Sequence, residues 1–234
     1  MLPERCDVVI VGAGNAAMCA ALAAREHDGV EVVVLERAPE AEAGGNTRFT
    51  AGAIRFAYDG VEDLRELMPD LTEEEIARTD FGAYTEDQFF DDMARVTENR
   101  TDPDLAELLI KRSKSTLLWL RSKGMRFAPI YGRQAFKVDG RFKFWGGLTV
   151  EAYGGGPGMI EAHKTAAAKR GIPIFYEARA VSLLHDDDGV QGVTVRYQGK
   201  TRTVRSRAVI LAAGGFQANP EWRTRYLGPG WDLA

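Results

Sequence analysis

The chain has 234 residues, with 30 Lys and Arg against 34 Asp and Glu, for a net charge of −4 and a pI near 5.5. That balance excludes a dedicated nucleic-acid binder, which needs a strongly basic surface. Hydrophobic residues at 45% supply a core and exclude wholesale disorder, and no apolar run approaches the ~18 residues of a membrane span, so no direct membrane insertion is expected.

The opening Met1-Leu2-Pro3-Glu4-Arg5-Cys6-Asp7 lacks the cationic-then-apolar order of an export signal. The two cysteines, Cys6 and Cys19, exclude a disulfide scaffold and fit a reducing compartment, so a cytoplasmic location is expected. Residues 6–11 are almost continuously apolar and read as a buried parallel strand. An Ala-rich helix is predicted over 15–27 and a second buried strand over 30–35, which makes the first 36 residues a βαβ unit. An irregular Gly-rich stretch covers 40–60. Three helices follow, marked by capping boxes at Thr72/Glu75 and Thr85/Gln88 and by Asp102-Pro103 at the start of the third, which Gly124 closes. Leu105, Leu108, Leu109, Leu117 and Leu120 recur at helical spacing and predict its buried stripe.

Residues 135–145 alternate around Asp139-Gly140 and read as a β-hairpin. The glycine-rich run 154–158 leads into a helix ending near Gly171, and strands are predicted over 172–176, 178–185, 192–197, 201–206 and 208–212. The chain has no internal repeats and no low-complexity linkers.

Charge is segregated. Residues 62–107 hold sixteen acidic and four basic side chains, a local net of −12 that leaves +8 elsewhere against the overall −4. The acidic stretch reads as a solvated helical face. Much of the basic excess falls in 121–143, where Arg121, Lys123, Arg126, Arg133, Lys137, Arg141 and Lys143 face only Asp139.

Chemistry resides in the glycines, of which there are 25. Gly12-Ala13-Gly14-Asn15-Ala16-Ala17 matches G-x-G-x-x-A between a strand and a helix. In that pattern Gly12 permits the tight turn, Gly14 lets a diphosphate approach the backbone, and Ala17 lets helix and strand pack closely. The diphosphate then lies on the free N–H groups and positive dipole end of the helix. Glu36 closes the second strand, where a carboxylate can bind ribose hydroxyls. This pattern alone leaves FAD and NAD open. Two further features favour FAD: Gly44-Gly45-Asn46-Thr47, backed by Ala51-Gly52-Ala53-Ile54-Arg55, and the buried strand Ala208-Val209-Ile210-Leu211-Ala212-Ala213-Gly214-Gly215-Phe216.

These segments together resemble the FAD-binding half of the fumarate reductase/succinate dehydrogenase flavoprotein family, with a particular likeness to its tricarballylate-oxidising members. The resemblance extends through Trp119-Leu120-Arg121 and Trp145-Gly146-Gly147 and spans essentially the whole chain. It implies an α/β fold: a Rossmann-like FAD-binding domain with a parallel sheet, a helical insertion and a small antiparallel β-sheet. The expected organisation is a βαβ unit with a flavin loop over 1–60, the helical insertion over 61–128, and a hairpin, helix and returning strands over 129–234.

By the same resemblance, Gly12, Gly14, Asn15 and Ala16 contact the FAD diphosphate, Glu36 the adenosine ribose, and Arg37 lies beside the adenosine half. Gly44, Gly45, Asn46 and Thr47 line the diphosphate and flavin, Gly52 behind them is also cofactor-binding, Val181 meets adenine through its backbone, and Ala213 and Gly214 pack near the cofactor. Many relatives carry Thr where Ala213 stands, which removes one hydroxyl donor. Members that bind flavin covalently have a histidine after the Gly pair, and Asn46-Thr47-Arg48 offers none, so noncovalent FAD is expected. The implied reaction is oxidation or reduction of the CH–CH bond of a small polycarboxylate, most like tricarballylate to cis-aconitate, with hydride passing to flavin N5. A membrane-bound electron-transfer partner is also implied. The catalytic residues of the family are expected beyond Ala234, so the chain reads as truncated and no catalytic residue is assigned. Two other readings stay open: a catalytically incomplete nucleotide-binding module, and an NAD(P)-dependent dehydrogenase, which the 44–47 segment disfavours.

Other candidates carry less. His27, His163 and His185 form no triad or metal spacing and read as packed or solvated histidines. Asp186-Asp187-Asp188-Gly189 lacks the glutamate of a Ca²⁺ loop and reads as a hairpin turn. Cys6 and Cys19 read as small hydrophobes. Arg133, Lys137 and Arg141 either steer an anionic substrate or form a solvated edge.

Overall fold

The valine-rich runs near the N-terminus fold as parallel strands because each is apolar on both faces and can be buried from both sides. The computed structural model describes residues 1–233 and divides into two units, Met1–Asn46 with the chain from Ala167 onward, and Thr47–Ala166. In chain order the elements are β1 (Arg5–Val11), α1 (Asn15–Ala24), β2 (Val32–Leu35), β3 (Ala53–Ile54), α2 (Val61–Leu67), α3 (Glu73–Arg78), α4 (Glu86–Thr97) and α5 (Pro103–Ser122). There follow β4 (Phe127–Pro129), α6 (Tyr131–Gln134), β5 (Ala135–Val138), β6 (Arg141–Phe144), β7 (Val150–Ala152) and α7 (Gly155–Lys169). The last are β8 (Ile174–Phe175), β9 (Arg179–Asp186), β10 (Gly189–Tyr197), β11 (Lys200–Leu211) and α8 (Pro220–Leu227).

The first unit is built on a six-stranded sheet ordered β8-β2-β1-β11-β10-β9. The strands β8, β2, β1 and β11 run parallel, whereas β11, β10 and β9 pair antiparallel. Val9, Val33 and Leu35 share a buried cluster with Val193, Val195 and Val204 from the antiparallel strands. Ile10 and Val34 alternate with that set along their strands and are fully buried as well. The α1 helix packs on β1, β2 and β11 through Ala17, Met18, Ala21 and Leu22, and the alanines let the helix backbone come close. The predicted strands 201–206 and 208–212 prove to be the single strand β11. It pairs with β10 up to Arg205 and with β1 from Arg205 to Leu211. No Gly or Pro interrupts that stretch, so the pairing partner changes while the strand continues.

The second unit holds α2–α6, the antiparallel sheet β3-β7-β4 and the hairpin β5-β6. Both capping boxes form as the sequence predicts, at Thr72 and Thr85, and Asp102 caps α5 ahead of its first-turn proline. Asp139 and Gly140 take left-handed φ of 51° and 82°, the conformation that closes a two-residue hairpin. The buried stripe of α5 differs from the predicted one. It consists of Ala106, Ile110, Ser113, Leu117 and Leu120, while Leu105, Leu108 and Leu109 are 65%, 58% and 54% exposed. Counting back from Leu117 in steps of four, three and four reaches Ala106, so helical spacing selected the small residues and left the leucines outside. Ser113 earns its place in that stripe by accepting the Ala57 N–H at 3.0 Å while donating to the Ile110 carbonyl.

His163 lies in α7 and is 2% exposed, and burial pushes its imidazole down to about 4. The unfolded chain therefore takes up a proton below about pH 6.5 that the native state refuses until about pH 4. Native stability is complete above that window and falls by up to about 3 kcal/mol as pH drops through it. His163→Leu should flatten this acid arm in thermal melts recorded between pH 7 and 4.5. Parallel declines in both proteins would contradict the assignment.

Candidate cofactor site

In the first unit, the turn after β1 is shaped by a close approach of backbone to backbone. Gly12 has φ +109°, and a Cβ there would lie 2.4 Å from the Ala212 carbonyl oxygen and 3.2 Å from Ala213 Cα. Both its conformation and its neighbour exclude any side chain. Ala212 N–H donates to the Val11 carbonyl at 2.9 Å, so the end of β11 is clamped beside the turn and Ala213 is brought against Gly12. Gly214 follows with φ +75°.

Gly14 is the N-cap of α1, and no side chain caps the helix. The first turn of a helix leaves N–H groups that its own carbonyls cannot reach. A diphosphate suits such an end, because its oxygens accept those N–H groups and its charge meets the positive end of the dipole. Ala17 is fully buried beneath, and Ala16 is exposed. Glu36 is 7% exposed, and its carboxylate is already engaged by the backbone. Oε2 accepts the Ala13 N–H at 2.9 Å and Oε1 accepts the Ala38 N–H at 2.8 Å. One side chain thereby ties the glycine turn to the end of β2. Each oxygen keeps a second lone pair, so a ribose hydroxyl can still be accepted. Sequence reasoning found the acid and missed the brace, because the backbone position of Ala13 is not encoded in residue identity.

Two further segments meet this point. Ala178 N–H donates to the Glu36 carbonyl and Glu177 N–H to the Ala38 carbonyl, laying the approach to β9 beside Glu36. Within β9 the register slips: Ala180 pairs with Val195 and Ser182 with Thr194, leaving Val181 without an opposite residue on the edge strand. A bulge of this kind withdraws one peptide from the ladder, which suits the backbone contact expected of Val181. Arg37 is exposed. Gly44 and Gly45 have φ of 110° and 53°, and Asn46 is exposed.

Thr47 and Gly52 fall in the second unit. There the glycines of 154–158 have a task that the sequence did not announce. A Cβ on Gly156 would lie 2.2 Å from the Thr47 carbonyl oxygen, and one on Gly52 would lie 3.0 Å from Gly155 Cα. Gly156 N–H donates to the Thr50 carbonyl at 2.9 Å, and Ala152 N–H to the Gly52 carbonyl at 2.8 Å. The loop 47–52 thus rests on bare backbone at the start of α7.

The remaining candidates resolve simply. Arg141 donates to the Thr79 carbonyl, Lys137 lies over the Phe142 ring and Lys143 pairs with Asp80, so most of the basic hairpin is engaged locally. Asp186 accepts the Asp188 N–H and a Gln191 amide N–H, closing the β9-β10 turn. No group of metal-ligating side chains forms among the described residues. Burial pushes the thiols of Cys6 and Cys19 up to about 11, which leaves them as unreactive small packing groups.

A family model described as "FAD binding domain" matches residues 7–232. The chain belongs to that family of flavoproteins. The relatives of this flavoprotein include the fumarate reductase (cytochrome) of Shewanella frigidimarina, 29% identical over 92% of the chain and 34% of the relative. A urocanate reductase of Eggerthella lenta is 30% identical over 94% of the chain and 33% of the relative. The open conformation of a flavocytochrome c3 fumarate reductase superposes with a TM-score of 0.73 at 25% identity, covering 95% of the chain and 36% of that structure. The flavoprotein chain therefore spans about one third of the length of these relatives.

Glu36→Gln preserves shape but sets an amide N–H against a backbone N–H, so it should cost about 1.5–3 kcal/mol of stability. Chemical denaturation checks this, and an unchanged midpoint would remove the brace from the account. Gly156→Ala gains about 1 kcal/mol of helix propensity. Against this, the Thr47 carbonyl cannot yield, and overpacking of this kind costs about 1–3 kcal/mol. The variant should melt below wild type, and a raised Tm would contradict the close approach.

Proposed function

We propose that this chain binds FAD noncovalently and forms the cofactor-holding part of an oxidoreductase that acts on the CH–CH or C=C bond of a small carboxylate. The observation that carries this reading is the Gly12–Ala17 turn, braced by Glu36 and opening onto a helix end that no side chain caps. It stands at the carboxyl ends of β1 and β2, where open α/β sheets bind ligands.

In this reading Gly14, Asn15 and Ala16 hold the diphosphate, Glu36 accepts a ribose hydroxyl, Val181 meets adenine, and Arg37 flanks the adenosine half. Gly44, Gly45, Asn46 and Thr47 line the diphosphate and flavin, Gly52 belongs to the same flavin loop, and Ala213 and Gly214 pack near the cofactor. Bound flavin supplies hydride acceptance and donation, and the protein supplies orientation and electrostatics.

Support for the substrate class comes from relatives whose names include fumarate reductase, urocanate reductase and NADH:acrylate oxidoreductase. Fumarate, urocanate and acrylate are all unsaturated carboxylates. Among small carboxylates we favour the saturated tricarballylate, oxidised to the unsaturated cis-aconitate, and a cytoplasmic setting with an electron-transfer partner at the membrane. Among the described residues no helix is long and apolar enough to cross a membrane. A second reading is a nucleotide-binding module without turnover of its own, for which the Gly12–Ala17 turn and its Glu36 brace suffice.

Purified protein should show flavin absorption near ~450 nm that bleaches on adding tricarballylate or succinate. Acid precipitation should leave the colour in the supernatant. Flavin that fails to bleach favours the binding module, folded protein without flavin defeats the first reading, and yellow precipitate defeats noncovalent binding.

A further inference from the structure

The central strand of the sheet β3-β7-β4 carries one carboxylate with no evident structural employment. Glu151 lies between Val150 and Ala152, both buried, so its side chain takes the opposite, more open face of the sheet. Its register partners there are Ala53 on β3 and Ala128 on β4. Two methyl groups flank it, and neither can cover or hydrogen-bond a carboxylate. Among the described residues no hydrogen-bond partner meets its oxygens, although the residue is half-buried. Partial burial there disfavours the charged form of the carboxyl and leaves its oxygens open to a further group.

Its location suggests which group. Ala53 directly follows Gly52, and Gly52 is bonded through its carbonyl to Ala152, the residue after Glu151. Glu151 is therefore one residue removed, on two strands, from the end of the loop read as lining the flavin. We propose that Glu151 faces the bound flavin and sets its reduction potential, so that the protonation of this carboxylate is coupled to flavin reduction. The proposal rests on the FAD reading and on the assignment of Gly52 to the flavin loop.

The electrostatics follow from the surroundings. An ionised carboxylate beside the isoalloxazine opposes the arrival of electrons and holds the potential down, and a neutral one does not. Burial raises the Glu151 carboxyl above its ordinary range, and the Arg133 guanidinium opposes that shift. Ala53 and Ala128, the partners from the two neighbouring strands, are uncharged, so Arg133 is the cation that governs this titration.

The test is spectroelectrochemical titration of flavin in the purified holoprotein as a function of pH. Wild type should show a break in potential against pH above the ordinary carboxylate range. Glu151→Gln should abolish the break and shift the neutral-pH potential in the positive direction. Arg133→Gln lies outside the β-sheet and keeps Glu151 intact; it should move the break to higher pH, which preserves the test if the first variant folds poorly. Superimposable curves for wild type and Glu151→Gln with flavin retained, or a break that Arg133→Gln leaves in place, would overturn the role of Glu151. Wild-type protein that holds no flavin overturns the cofactor reading itself, and this proposal with it.

Discussion

Two backbone N–H groups converge on the carboxylate of Glu36, from Ala13 in the glycine turn and from Ala38 just past β2. The first unit is organised around this contact. It holds the turn against the end of β2, and the Ala212–Val11 hydrogen bond holds the same turn against the end of β11. Three strand ends are thus gathered around one glycine, Gly12, whose missing side chain makes room for the Ala212 carbonyl. An acid in this place braces the backbone with one lone pair on each oxygen and keeps the others free. Its charge also makes both hydrogen bonds stronger than neutral ones.

Glycine does two different kinds of work in this molecule. At Gly12 and Gly44 it supplies backbone angles that L side chains rarely adopt. At Gly156 the backbone is ordinary, and the absent Cβ instead admits the Thr47 carbonyl. Composition cannot separate these roles. A glycine pair on the page reads as a cofactor loop or a turn, while the packing of one loop on a helix start becomes visible only in three dimensions.

Much of the architecture was legible because short-range physics fixes it. The apolar runs at β1 and β2, the capping boxes at Thr72 and Thr85, and the Asp139-Gly140 turn all form from neighbouring residues alone. Where distant partners decide, the reading went astray or fell silent. Leu105, Leu108 and Leu109 share a helical face with one another but lie outside the buried face of α5, which Ala106, Ile110 and Ser113 continue from Leu117 and Leu120. The short strands β3, β4 and β7 carry two or three residues each and have no periodicity to detect. Glu151 carries no local signal either, since its isolation depends on alanines from two other strands. Of the candidate site, the glycine turn and the returning strand are visible in the sequence as local patterns, and the bulge at Val181 is not.

The charge segregation also takes a physical form. The acidic stretch folds largely as α2–α5 and their connections, and several of its carboxylates find local cations, as in Lys114 with Asp63 and Arg65 with Glu73. Pairs that water still reaches contribute little to stability, and most carboxylates of the stretch lie on a solvated face. The central claim is that the braced glycine turn holds the adenosine diphosphate half of FAD. It is tested most directly by titrating flavin-free protein with FAD, following quenching of flavin fluorescence, with and without ADP. The account predicts saturable one-to-one binding that ADP displaces competitively. FAD binding indifferent to ADP, or matched by FMN, would contradict it.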